Sequence, residues 1–354
     1  MTTAHAHAAR PIDLALQGGG SHGAFTWGVL DGLLEDGRLL PDGVSGTSAG
    51  AMNAAVLATG YARGGRDGAR AALKAFWHAV SDQNPAPAPA MTAWGMAWPD
   101  WLFNRSAWPG YNAMEAWTRL LSPAQLNPLG LDPLRDIVKA HVDVAAIRQG
   151  PIKVFVTATS VRTGQPRVFS GDQLSVDALM ASACLPQTSR SVVIDGEAYW
   201  DGGFAGNPSL WPLIYNTDSR DLLLIQINPL VRHEVPTSAV DIQDRMNEIT
   251  FNASLVAEMR AIAFVQRLVK EKRVDLNDYK ALRLHRIADE ASLARFGASS
   301  KLNNDLRLLT TLFDIGRHAA QAWLAQHADA VGHQGTLDAA KVYLGQGTDV
   351  NAAP

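Results

Sequence analysis

The 354-residue chain is expected to fold as an α/β protein, a three-layer α/β/α arrangement with a mostly parallel central sheet. Two observations carry that expectation. A strand, glycine loop and helix follow one another twice within the first sixty residues, and crossover helices between parallel strands are how such alternation buries its apolar faces. Further on, Leu222 to Ile227 is an apolar run interrupted only by Gln226, of the kind found in strands covered on both sides.

The elements follow in chain order. Residues 1–10 alternate small side chains with His5 and His7, lack an apolar stretch, and read as a disordered tail, neither a secretory signal nor an anchor. Ile12 to Leu16 is a strand, Gln17 to Gly23 a glycine loop, and Ala24 to Leu34 a helix. Val44 and Ser45 then lead into Gly46-Thr47-Ser48-Ala49-Gly50 and a helix from Ala51 to Ala58, with Gly60 as its expected end. Pro85, Pro87 and Pro89 impose an extended connector, since each fixes its own φ and steers its predecessor from helix. Residues 91–131 hold five of the ten tryptophans, Trp94, Trp98, Trp101, Trp108 and Trp117, and read as an aromatic-rich insertion: a subdomain filling its own core, a lid that touches a lipid surface, or both at once.

Beyond the insertion, the pattern gives a helix over Leu134 to Ala146, a strand over Ile152 to Thr157, and a hairpin through Val192 to Ile194 and Tyr199. Met246, Ile249, Ala253, Val256, Met259 and Ile262 space out a long amphipathic helix over 242–270, and Leu302 to His327 gives another; both are expected over the sheet. The first helix mixes Asp244, Glu248 and Glu258 with Arg245, Arg260 and Arg267 on its polar face, which suits packing on a core better than lying on a membrane. The domain reading is therefore an α/β domain over 11–330, an insertion or lid at about 84–131, and an unassigned tail over 331–354.

Composition narrows the function. Hydrophobic residues make up 47% and charged ones 18%, so the chain can bury a large core. The 31 basic and 34 acidic side chains leave a charge of −3 with no basic block, which argues against nucleic acid as a partner. A single cysteine, Cys184, permits neither an internal disulfide nor a cysteine-based metal site, and fits a cytoplasmic setting. No metal-binding pattern is present, and no cofactor is expected.

Gly46-Thr47-Ser48-Ala49-Gly50 matches G-x-S-x-G, in which a sharp strand-to-helix turn lifts the serine hydroxyl out of the sheet. The other loop, Gly18-Gly19-Gly20-Ser21-His22-Gly23, can turn successive N–H groups toward one point. Gly18, Gly20 and Gly23 also satisfy the dinucleotide spacing, but the second strand carries the serine turn where a ribose-binding acid belongs, so an oxyanion site is the better reading. A nucleophilic serine needs a base. His233, in a loop after a strand, is the best-placed histidine; Asp201, in Trp200-Asp201-Gly202-Gly203-Phe204, is the stronger candidate, although a turn-only role is common for such a tripeptide.

With these three ordered motifs, residues 11 to 212 resemble the patatin-like phospholipases, whose signatures are a Gly-rich oxyanion loop, G-x-S-x-G, and an Asp-Gly-Gly/Ala turn. The resemblance implies a Ser48–Asp201 dyad with no histidine, and backbone donors from Gly18, Gly19, Gly20 and Ser21 supplemented by Ala49. Gly46, Gly50, Gly202 and Gly203 are the motif glycines. Ala181 to Pro186 is similar to the segment that precedes the family's aspartate. His22 stands where the family usually has Arg or Lys, and Thr188 and Ser189 where it often has large apolar residues. The implied activity is serine lipolytic acyl hydrolysis of a phospholipid, lysophospholipid or related ester, with transient membrane-surface contact. An acyltransferase or thioesterase with the same nucleophile, or an idle lipid-binding protein, are the alternatives.

Overall fold

In the computed structural model, residues 9–83, 132–186, 189–232, 234–275 and 279–345 are described. The proline connector, the tryptophan-rich insertion, Thr188 and His233 lie outside them.

The strands are β1 (Arg10–Leu16), β2 (Leu39–Thr47), β3 (Lys153–Ser160), β4 (Pro166–Ser170), β5 (Val192–Ile194), β6 (Glu197–Asp201), β7 (Asp221–Ile225) and β8 (Arg283–Ile287). The helices are α1 (Gly23–Asp36), α2 (Ala49–Ser81), α3 (Pro133–His141), α4 (Val144–Gln149), α5 (Val176–Ser182), α6 (Trp211–Asn216), α7 (Ala239–Lys270), α8 (Glu290–Leu293), α9 (Leu306–His327) and α10 (Ala339–Leu344). One sheet runs β5-β6-β3-β2-β1-β7-β8, with β4 paired to β3 off that path. From β3 to β8 the pairing is parallel; β4, β5 and β6 join antiparallel.

Alternation along the strands divides the core. Ile12, Leu14 and Leu16 of β1, with Leu223 and Ile225 of β7, face α1, α2 and α9. Ala15, Leu222, Leu224 and Leu284 face the other way, onto Leu210, Leu213, and Leu255, Met259 and Ile262 of α7. Helices on both faces of a mostly parallel sheet are the architecture the sequence implied.

Register positions the site. Leu16, the last residue of β1, lies opposite Gly46 of β2 and Ile225 of β7. The glycine loop therefore leaves the sheet between the serine turn and the loop after β7, at the carboxyl edge where parallel sheets bind ligands. Thr47 pairs with Thr157, and the next residue of β3, Ala158, pairs with Asp201. An antiparallel strand thus returns the aspartate to the level of Ser48.

Four expected boundaries differ. Arg10 belongs to β1, its guanidinium bonded to the carbonyls of Ala328 and Val331. Gly60 does not end α2; the helix breaks at Gly64 and Gly65, where Gly65 takes a left-handed φ of 59°, while Gly60 allows the backbone of Gly68 to pass close by. The helix expected over 134–146 is two helices, because Val142 is extended and the Asp143 carboxylate caps the second by accepting from Ala146 N. In α7 the spacing holds only in the second half: Met246 and Ile249 are 56% and 55% exposed, and the first half turns Glu248 and Asn252 inward.

Helices α1 and α9 cross at two glycines. A β-carbon on Gly28 would lie 1.9 Å from the Phe313 carbonyl oxygen, and one on Gly316 2.0 Å from that of Phe25. Gly28→Ala or Gly316→Ala should therefore lower stability by about 1–3 kcal/mol in urea unfolding. Gly64→Ala, where an added methyl meets nothing within 4 Å, should stay within about 0.5 kcal/mol of the parent.

Candidate active site

Ser48 stands between β2 and α2 with φ 56° and ψ −123°, a left-handed backbone for a residue with a side chain. Such a conformation stores on the order of 1–3 kcal/mol and persists only where its surroundings impose it. They do so through contact. A β-carbon on Gly46 would meet the Gly50 carbonyl oxygen at 2.4 Å, and one on Gly50 would meet that of Leu16 at 2.2 Å. The two motif glycines therefore let β1, β2 and the start of α2 close around the turn. The Ser48 amide donates to the Ser182 hydroxyl at 2.9 Å, tying the turn to α5. Ser48 remains half-buried, at the positive end of α2.

Asp201 is fully buried. Its backbone is held on both sides: its N–H donates to the Cys184 carbonyl at 2.8 Å, and its own carbonyl accepts from the Thr159 hydroxyl at 2.8 Å. The segment Ala181 to Pro186 thus touches both members of the pair, through Ser182 and Cys184. One carboxylate oxygen, Oδ1, accepts from Gly203 N at 2.7 Å. Burial pushes the carboxyl up to about 7, against the opposing pull of the Gly203 amide and the Ser48 hydroxyl. Oδ2 has no partner in closed hydrogen-bond geometry, although the Ser48 hydroxyl lies close enough to pull the carboxyl's pKa down. Thr157 Oγ1, Asn207 Nδ2 and Ser209 Oγ are also buried without a partner. Unsatisfied polar atoms are rare in proteins; Thr157 and Ser209 both lie against Gly206, and Asn207 lies against Gly18.

The glycine loop lies against the serine. A β-carbon on Gly18 would sit 2.9 Å from Ser48 Cβ and 2.7 Å from the Thr47 carbonyl oxygen. Its amide, expected among the oxyanion donors, is instead committed to Asn207 Oδ1 at 2.7 Å. Gly19 and Gly20 are accessible and stand as the N-cap and first residue of a 3-10 turn, where N–H groups have no intrahelical acceptor. Ala49 is buried, but as the first residue of α2 its N–H likewise has no intrahelical acceptor. Ser21 is buried, its hydroxyl donating to Asn304 Oδ1 at 2.7 Å.

Among the described histidines none bonds to Ser48. His22 is buried, its Nε2 2.7 Å from the Ser300 hydroxyl, and burial beside Lys301 drives it down to about 3, so it stays neutral. His285 pairs with Asp221 and Thr336. Groups the sequence did not single out complete the setting. Gln17 Oε1 accepts from the amides of Ile227 and Asn228 at 2.8 Å each, and its Nε2 donates to Asn252 of α7 at 2.9 Å. The inward-facing polar half of α7 exists to meet this network, and Glu248 there accepts from Arg232 and Arg245. Their one visible signal was position: Gln17 directly follows β1, and Asn228 comes just after Ile227, beyond the end of β7.

A strained serine at the carboxyl edge of a parallel sheet, beside a glycine loop and a buried aspartate, defines an α/β protein of the nucleophile-elbow kind. The pattern of the patatin-like phospholipases matches residues 14–214, more than half of the chain, and the chain belongs to that family. Membership supports lipid hydrolase activity on a lipid substrate. No curated protein matches the chain in sequence. Among solved structures it is similar to VipD from Legionella pneumophila, at 15% identity and a TM-score of 0.35 over 86% of this chain and 67% of that one. It is also similar to ExoU, in complex with SpcU, from the type III secretion system of Pseudomonas aeruginosa, at 13% identity and a TM-score of 0.27 over 88% of this chain and 54% of that one. Among the described residues no helix is long and apolar enough to cross a membrane.

The raised Asp201 pKa has a stability consequence. Between about pH 4 and pH 7 the unfolded chain loses this proton while the folded chain keeps it, so folding grows less favourable as pH rises through that window. Asp201→Asn, which cannot ionise, should melt higher than the parent at pH 8, with the gap narrowing as pH falls toward 4 in thermal scans.

Proposed function

We propose that the chain is a serine lipolytic acyl hydrolase in which Ser48 is the nucleophile and Asp201 the base that serves it. The observation that carries this reading is the meeting of a strained, accessible serine with a fully buried carboxyl whose pKa is pushed up to about 7. An aspartate of ordinary pKa is too weak a base for a hydroxyl. Desolvation strengthens it, and the positive end of α2 favours negative charge on the serine oxygen.

In the proposed reaction Asp201 takes the Ser48 proton as Oγ attacks the ester carbonyl. The oxyanion forms opposite the amides of Gly19, Gly20 and Ala49, with Ser21 at the edge of the group. Collapse breaks the bond to the alcohol, which leaves with the proton from Asp201, and an acyl-serine remains. Water then gives a proton to Asp201 and attacks the acyl carbon; the second collapse returns that proton to Ser48 Oγ and frees the fatty acid. Every step uses groups of this chain and water alone. Hydrolysis of a phospholipid, lysophospholipid or related ester fits this sequence of events.

Ser48→Ala and Asp201→Asn should each reduce ester hydrolysis on the order of 100-fold or more while remaining folded. Rate should rise with pH through about 7 as Asp201 ionises, and a fluorophosphonate should label Ser48 in the parent and not in Ser48→Ala. If Asp201→Asn keeps near-parent turnover and His233→Ala abolishes it, a histidine-based triad replaces the dyad.

A further inference from the structure

Gly18 is gripped by two asparagines, one on each of its flanking peptides, and a lysine from a distant segment fixes one of them. Gly18 N–H donates to Asn207 Oδ1 at 2.7 Å, and Gly18 C=O accepts from Asn228 Nδ2 at 2.9 Å. Asn228 Oδ1 in turn accepts from Lys301 Nζ at 2.6 Å. The amide orientation of Asn228 is forced from both ends. A lysine nitrogen can give a hydrogen bond to the asparagine oxygen, and a carbonyl can only receive one from its nitrogen. The Asn228 backbone N–H is itself held by Gln17 Oε1 at 2.8 Å, so the side chain springs from a fixed point.

In a planar trans peptide the carbonyl of one residue and the N–H of the next point in opposite directions. Holding Gly18 C=O on Asn228 therefore aims the Gly19 N–H the other way, and Gly18 itself packs against Ser48 Cβ. Hydrogen bonds in series also polarise one another, so a bond accepted at the Gly18 carbonyl strengthens the Gly19 N–H as a donor. Lys301 is well placed to belong to this device. Its backbone carbonyl lies 2.2 Å from where a β-carbon on Gly20 would be, so the segment that carries it abuts the loop. The loop's own titratable residue, His22, is neutral and bound to the neighbouring Ser300.

We infer that Lys301 and Asn228 act as positioning residues for the oxyanion site: Lys301 locks the Asn228 amide, Asn228 locks the Gly18–Gly19 peptide, and the Gly19 N–H is thereby set as an oxyanion donor. Asn207 anchors the near end of the same peptide pair. This inference rests on the acyl-hydrolase reading of Ser48.

The test is the rate at which a fluorophosphonate labels Ser48, measured with the end-point stoichiometry and the thermal midpoint. Asn228→Asp keeps the partner of Lys301 but replaces the donor to Gly18 with a repelling oxygen; labelling should slow by roughly 100-fold, the scale of losing an oxyanion donor, with the end point still near one label per chain. Lys301→Met should slow it by about tenfold, the scale of losing one hydrogen bond, and Lys301→Arg should restore most of the loss. A merely structural role would lower the end point or the melting midpoint and leave the rate constant of the folded fraction unchanged, and that result overturns the inference. Should Asn228→Asp fail to fold, the Lys301 pair carries the same comparison. Absence of labelling in the parent would overturn the acyl-hydrolase reading and this inference together; a labelled parent with folded variants reacting at its rate would overturn this inference alone.

Discussion

The site depends on a carboxyl group kept away from water. Asp201 has no exposed surface, one oxygen satisfied by the Gly203 amide and the other without a closed bond, and its pKa is raised accordingly. Nothing about Asp-Gly-Gly as a tripeptide compels this. It follows from an antiparallel strand added at β3, which carries the aspartate back to the level of the serine turn, and from the backbone bonds to Cys184 and Thr159 that stop it from swinging outward. The folded state tolerates an unfavourable charge there because the sheet around it is well packed on both faces.

The same economy governs the serine. Its left-handed backbone is enforced by close approach of two strands and a helix at positions where any side chain would collide. Glycines thus act here less through their own freedom than through the absence of a β-carbon. The loop before α1 repeats the principle, with Gly18 against Ser48 and Gly20 against the Lys301 segment. Two rigid turns from adjacent strands are thereby held in contact, with little left to side-chain choice.

How much of this was legible depended on range. The paired strand-loop-helix units, the serine turn and the hairpin leading to Asp201 are local patterns, and each lies where its residues placed it. The run from Leu134 to Ala146 conceals its break because Leu134, Ile137, Val138, Val142 and Ala145 keep the apolar spacing of one helix, and only the extended Val142 and the capping geometry of Asp143 separate the two. Gly60 reads as a helix end until Gly68 is seen beside it. In α7 the apolar spacing of Met246 and Ile249 misleads, since the inward face of that half serves Gln17 and Arg232 instead of the core. The Gly18 amide was expected to face substrate, but Asn207, 189 residues away, takes it. Partners brought together by sheet register leave no trace in local spacing.

Strand order has a further consequence during synthesis. β1 sits in the interior of the sheet, yet one of its two neighbours, β7, follows it by about 200 residues. At ribosomal speeds of about 5–20 residues per second, roughly 10 to 40 s pass between the emergence of Leu16 and that of Ile225. Through that interval an apolar strand with one open edge must wait for its mate. The nascent chain is thus most vulnerable to aberrant association well before its last helices exist, and its folding yield is governed by how that edge is shielded in the meantime.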